Sequence, residues 1–134
     1  TLDIGIILTG KYVDIQDKVR KELLSVMKDG KFNLKMVHNC PLFRAYIHEI
    51  LRLSSVAYMG VNHATTEDRW ITYEDKQYFI PKNIPIFMNT EYIHNYNQNQ
   101  EKWKYIDGDK IFLENWLSDD KRFVVNESFI GFGV

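Results

Sequence analysis

Glu49 and Arg52 stand three positions apart in Phe43-Arg-Ala-Tyr-Ile-His-Glu-Ile-Leu-Arg-Leu53. On a helix that spacing lets a carboxylate meet a guanidinium, and on a surface such a pair contributes only about 0.2–0.5 kcal/mol. Taken alone it reads as a surface salt bridge. Its neighbours change the reading. Phe43, Tyr46, Ile47, Ile50 and Leu51 form an apolar stripe at helical spacing, expected to face a core. Glu49 and Arg52 lie beside that stripe, roughly 60° apart around the axis, which favours partial burial. A buried guanidinium carries five donors, so one carboxylate leaves it short. It must reach backbone carbonyls or a third side chain from distant sequence. Ala45 falls between the two on the helical wheel, where a small residue lets another backbone approach.

Other chemically capable residues read more simply. His48 and Glu49 begin the His-Glu-x-x-His spacing of a zinc site, but Arg52 replaces the second histidine and would repel the ion. No metal ligand is therefore assigned within the chain. Cys40, the one cysteine, precedes a proline and reads as a packed or idle thiol, without a partner for an internal disulfide. His38 and His94 read as surface residues. Gly131-Phe-Gly133 lacks the strand and lysine of a phosphate loop. Trp70, Trp103 and Trp116 could stack on bases, yet a net charge of −1 offers no basic patch. Nucleic acid is excluded on that ground, and buried packing is the expectation for the tryptophans.

The chain has 134 residues, 45% hydrophobic and 26% charged, enough for a single domain with one core. Its longest apolar run, Ile4 to Leu8, is too short to span a bilayer. Thr1 to Thr9 reads as the tail of a longer helix. Asp14 is placed to cap the next helix and Gly30 to end it, with Ile15, Val19, Leu23, Val26 and Met27 on one face. Cys40-Pro41 opens the helix bearing Glu49 and Arg52. Trp70–Thr72, Tyr78–Ile80 and Ile84–Met88 read as short strands. Glu74-Asp75-Lys76 and Pro81-Lys82-Asn83 form the turns between them, and Asn83 can adopt a left-handed conformation. Pro81 and Pro85 argue for edge strands. A short helix is placed around Tyr92, and residues 95–126 read as irregular. The fold class is α+β: amphipathic helices, a small mixed or antiparallel sheet, and an irregular meander.

Taken in order, these segments resemble the C-terminal third of a cytochrome P450. Glu49-Ile-Leu-Arg52 matches the family's Glu-x-x-Arg. Phe112-Leu-Glu-Asn-Trp116 is similar to its Pro-Glu-Arg-Phe segment, with Leu113 for proline and Asn115 for arginine. Tyr12-Val-Asp-Ile-Gln16 and Lys18-Val-Arg-Lys-Glu22 resemble the helix after the oxygen-activating helix, and Thr1 to Leu8 the end of that helix. Tyr78-Phe-Ile-Pro-Lys82 and Pro85-Ile-Phe87 match its strand–turn–strand signature, with Gln77 and Asn83 in place of glycines. Phe132-Gly-Val134 supplies the beginning of the haem-thiolate loop Phe-x-x-Gly-x-Arg-x-Cys-x-Gly.

The resemblance implies a parent that is a haem-thiolate monooxygenase holding haem b. Such a parent inserts one oxygen atom of O2 into a small apolar substrate, with electrons from a reductase or ferredoxin. It implies that Glu49, Arg52 and Asn115 support the haem loop, that His63 and Phe132 contact the cofactor, and that Ala57 and Val61 face substrate. The iron-ligand cysteine is expected beyond Val134, so residues 1–134 read as one partial domain truncated at both ends and inactive by itself. An intracellular setting is expected, cytoplasmic or membrane-associated through a missing N-terminal region. The alternative is a non-catalytic remnant or interaction module whose uncovered apolar faces bind another chain.

Overall fold

A computed structural model describes residues 2–28, 30–31, 33–56, 63–95, 103–105 and 110–130. Helix α1 (Leu2–Lys11) is followed after Tyr12 by α2 (Val13–Val26). The start expected at Asp14 falls earlier: Tyr12 is the N-cap, with no side-chain cap. Asp14 instead lies in the first turn, where a carboxylate complements the helix dipole. The stop expected at Gly30 also comes sooner, because Met27 turns extended at φ −66° and ψ 138°. Gly30, at φ 69°, serves a tight turn closed by Lys31 N–H donating to the Lys28 carbonyl at 2.9 Å.

A 3₁₀ turn over Leu34–Asn39, not foreseen, leads into α3 (Pro41–Leu53). Pro41 occupies the first turn as expected, where its missing N–H costs nothing. The orphan donors beside it are met from another helix. Glu22 on α2 accepts Leu42 N–H at 3.0 Å on one oxygen and Phe43 N–H at 2.8 Å on the other. A carboxylate at a helix N-terminus satisfies both hydrogen bonding and the dipole.

Strand β1 (His63–Ala64) pairs antiparallel with β4 (Pro85–Ile86), and β2 (Arg69–Tyr73) with β3 (Lys76–Ile80). Among the described residues the expected small sheet is two separate two-stranded ones. Every strand among them is an edge, which accommodates Pro85 in β4. Tyr73 faces Lys76 across a two-residue turn in which Glu74 and Asp75 take φ 47° and 60°. Two positive φ values match the right-handed twist of a hairpin. Asn83 is left-handed as foreseen, at φ 65°. The Thr65 hydroxyl secures that turn by donating to Pro81 O at 2.6 Å and accepting Ile84 N–H at 3.0 Å. Helix α4 (Thr90–Asn95) and a 3₁₀ turn over Leu113–Trp116 complete the described elements.

The core gathers Ala45, Ile50, Trp103, Ile111, Leu113, Trp116 and Leu117, so it sits where α3 meets the second 3₁₀ turn. The rotation of α3 departs from the apolar stripe. Its buried residues are Ala45, Glu49, Ile50 and Arg52, while Ile47 is 40% exposed. Tyr46, which also packs against the core, lines an open apolar groove with Ile47, Ile50 and Leu51 against Gly5 and Thr9 of α1. No helix among the described residues is long and apolar enough to cross a membrane.

Candidate functional site

Helix α3 carries Glu49 and Arg52 into the core, where both side chains are 0% exposed. They form a two-point pair, Nε to one carboxylate oxygen at 2.9 Å and Nη2 to the other at 2.8 Å. Such a fork fixes both planes, something a point charge cannot do. The pair does not stand alone. Glu49 also accepts Phe112 N–H at 2.9 Å and the Trp116 indole N–H at 2.7 Å, so each oxygen receives two hydrogen bonds. Arg52 Nη1 donates to the His94 carbonyl at 3.1 Å and to Asn95 Oδ1 at 2.8 Å. Nη2 also reaches the Lys110 carbonyl at 3.5 Å. All five guanidinium donors are engaged, the condition under which a buried ion pair is tolerated.

The brace ties α3 to α4, to the Lys110–Phe112 segment before the second 3₁₀ turn, and to that turn itself. The need for distant acceptors was readable from Arg52, but their identities were not. Asn95 supplies the side chain that Asn115 was expected to supply. Asn115 is buried but spends its amide on one peptide, accepting Tyr105 N–H at 3.0 Å and donating to Tyr105 O at 2.9 Å. It therefore stiffens the 3₁₀ turn from the other side and does not touch Arg52. Trp116, next to it, makes the direct contact with the pair, its indole N–H donating to Glu49.

Aromatic rings surround the brace. Trp116 meets Phe129 edge-on at 4.9 Å and 88°, and Trp103 at 5.5 Å and 64°. His94, expected at the surface, is 0% exposed and stacks on Phe129 at 5.4 Å and 20°. Its Nε2 accepts the Ile130 N–H at 2.9 Å. Burial, then the nearby Arg52 charge, lower its pKa to about 4, against a weaker raising effect of the Arg52 backbone. His48 lies across the same ring at 5.5 Å, and its Nδ1 is 2.9 Å from the Arg44 carbonyl. Burial chiefly depresses the His48 pKa too. Cys40 is 0% exposed, donates to the Met36 carbonyl at 3.3 Å, and has its pKa raised by burial and then by Glu22.

The remaining expected residues fall elsewhere. His63 is exposed in β1, opposite Ile86. It takes no part in the hydrogen bonds of the buried Glu49–Arg52 network. Ala57, Val61 and Phe132 lie outside the described residues. The signal for Asn95 and His94 was faint, since a short Tyr-Ile-His-Asn stretch looks like a polar surface turn.

Comparison with known proteins agrees with this geometry. The family model described as Cytochrome P450 matches residues 1–134. The chain is 30% identical over 135 residues to Cytochrome P450 2K4 of Oncorhynchus mykiss, covering 98% of this chain and 24% of that protein. It is 28% identical over 125 residues to Cytochrome P450 2L1 of Panulirus argus, covering 92% and 24%. It is 35% identical over 108 residues to Probable cytochrome P450 508A4 of Dictyostelium discoideum, covering 73% and 21%. The chain thus spans about a quarter or less of the length of these curated relatives. With a match that runs from Thr1 to Val134 and a buried Glu-x-x-Arg pair at its centre, the chain belongs to the cytochrome P450 family.

Proposed function

We propose that the intact protein is a haem-thiolate monooxygenase that inserts one oxygen atom of O2 into a small apolar substrate. Electrons come from a reductase or ferredoxin in this reading. The observation that carries it is the fully satisfied Glu49–Arg52 pair, which grips Phe112 and Trp116 and so immobilises the stretch leading to Phe129. A pair with no spare donor and no access to water is unsuited to proton transfer and suited to holding a turn in place. Haem supplies the oxygen activation when bound.

The residues present fit the periphery of a haem rather than its iron. His63 is an exposed imidazole able to donate to a propionate, a charge-assisted hydrogen bond. Cys40 is sealed and already donates to Met36, so the sulfur ligand is a residue other than Cys40. On the same reading Phe132 lies against the cofactor and Ala57 and Val61 line the substrate side. Residues 1–134 form one part of a larger domain and do not turn over by themselves. An intracellular setting, cytoplasmic or membrane-attached, belongs to the same proposal.

The test is haem retention in the intact protein. Arg52→Ala is expected to strip haem and to abolish the reduced-carbonyl band that gives the family its name, while His63→Ala weakens retention without unfolding. Unchanged retention in Arg52→Ala overturns the bracing role.

A further inference from the structure

We propose that His94 is a positioning residue whose neutral imidazole locks the backbone at Ile130 onto the Glu49–Arg52 brace. The residue is held at both ends. Arg52 Nη1 grips its carbonyl at 3.1 Å, and its Nε2 accepts Ile130 N–H at 2.9 Å. Because Nε2 accepts, the ring proton must sit on Nδ1, which is buried with no hydrogen-bond partner among the described residues. The ring is 0% exposed, with the Arg52 backbone on one side, and supplies an acceptor on the other. Phe129 stacking at 5.4 Å aligns that lone pair with the Ile130 amide. Carbon-only packing would fill the same space without specifying which backbone atom lies there.

Protonation removes the acceptor. It also places a cation beside Arg52, whose charge Glu49 offsets; Trp103, Phe129 and Ile130 bring no charge. His48 lies across Phe129, and Glu91 on α4 is exposed. Burial and Arg52 hold the pKa at about 4, so the lock stays closed at neutral pH and opens as pH falls through about that value. That the locked stretch leads to the sulfur-bearing turn rests on the function proposed above.

The experiment is backbone amide exchange of Ile130 in the intact protein, with Ile50 in α3 as reference and haem content measured in parallel. His94→Phe keeps a flat ring without an acceptor and is expected to lower Ile130 protection about tenfold at neutral pH. His94→Gln offers an amide oxygen near the Nε2 position and is expected to restore most of it. Wild-type protection at Ile130 should fall through pH ~4 ahead of Ile50, whereas the Gln variant is flat. Wild-type-like protection in His94→Phe, or a wild-type profile as flat as that of His94→Gln, overturns the proposal. Should His94→Phe not fold, the Gln profile still decides. Lost protection with haem fully retained counts against the haem-loop reading and leaves the lock standing.

Discussion

A guanidinium sealed from water is costly to bury and costlier to strand. Replacing Arg52 by alanine leaves the Glu49 carboxylate 0% exposed and without its counter-ion, although Phe112 and Trp116 still donate to it. The expected loss is about 3–5 kcal/mol of unfolding free energy, read by urea titration. Lysine, with three donors on a point charge and no fork, should recover only part of it. A loss within about 0.5 kcal/mol would place the pair among ordinary surface bridges. At this scale the sequence was legible where chemistry counts donors. Five N–H groups on Arg52 demanded acceptors from afar, and acceptors came. It was illegible where one residue type offers several solutions. Asn115 could bridge to arginine or pair with a peptide, and nothing local to it reveals that Tyr105 stands opposite. His94 was misread because the residues that bury it, Arg52, Trp103, Phe129 and Ile130 among them, are distant in sequence.

Among the elements, α3 shows why an apolar stripe alone does not fix a helix's rotation. Ile50 of its stripe enters the core and Ile47 and Leu51 line an open groove by α1, while a polar edge turns inward because its hydrogen bonds are complete there. The long-range cap from Glu22 holds the other end. Glu22→Ala removes acceptors from Leu42 and Phe43 N–H and is expected to cost about 1–2 kcal/mol, measured as a lowered unfolding midpoint. Glu22→Gln, which keeps one oxygen, should cost less. Equal stability of wild type and Glu22→Ala contradicts the cap. Turn chemistry was the most legible feature: Asn83 and the Glu74-Asp75 turn sit where a left-handed conformation was needed. Which helix a glutamate caps, and that the strands divide into two pairs, depends on contacts that no local pattern encodes.

For the molecule as a whole, the β2–β3 hairpin stands out in solvent. Trp70 is 65% exposed and Phe79 49%, their rings tilted at 47° to each other with centroids 5.1 Å apart across the strands. Edge strands with aromatic faces invite pairing with other chains. Residues 1–134 expressed alone are therefore expected to self-associate at micromolar concentration by light scattering. Replacing both aromatics by threonine should reduce that association; a monomer at every concentration sinks the expectation. The brace also has a consequence in time. Glu49 and Trp116 are 67 positions apart. At about 5–20 residues per second, a ribosome needs about 3–13 s to synthesise the stretch between them. For those seconds the nascent helix carries an acid and a base whose final companions do not yet exist, a natural interval for a chaperone to hold it.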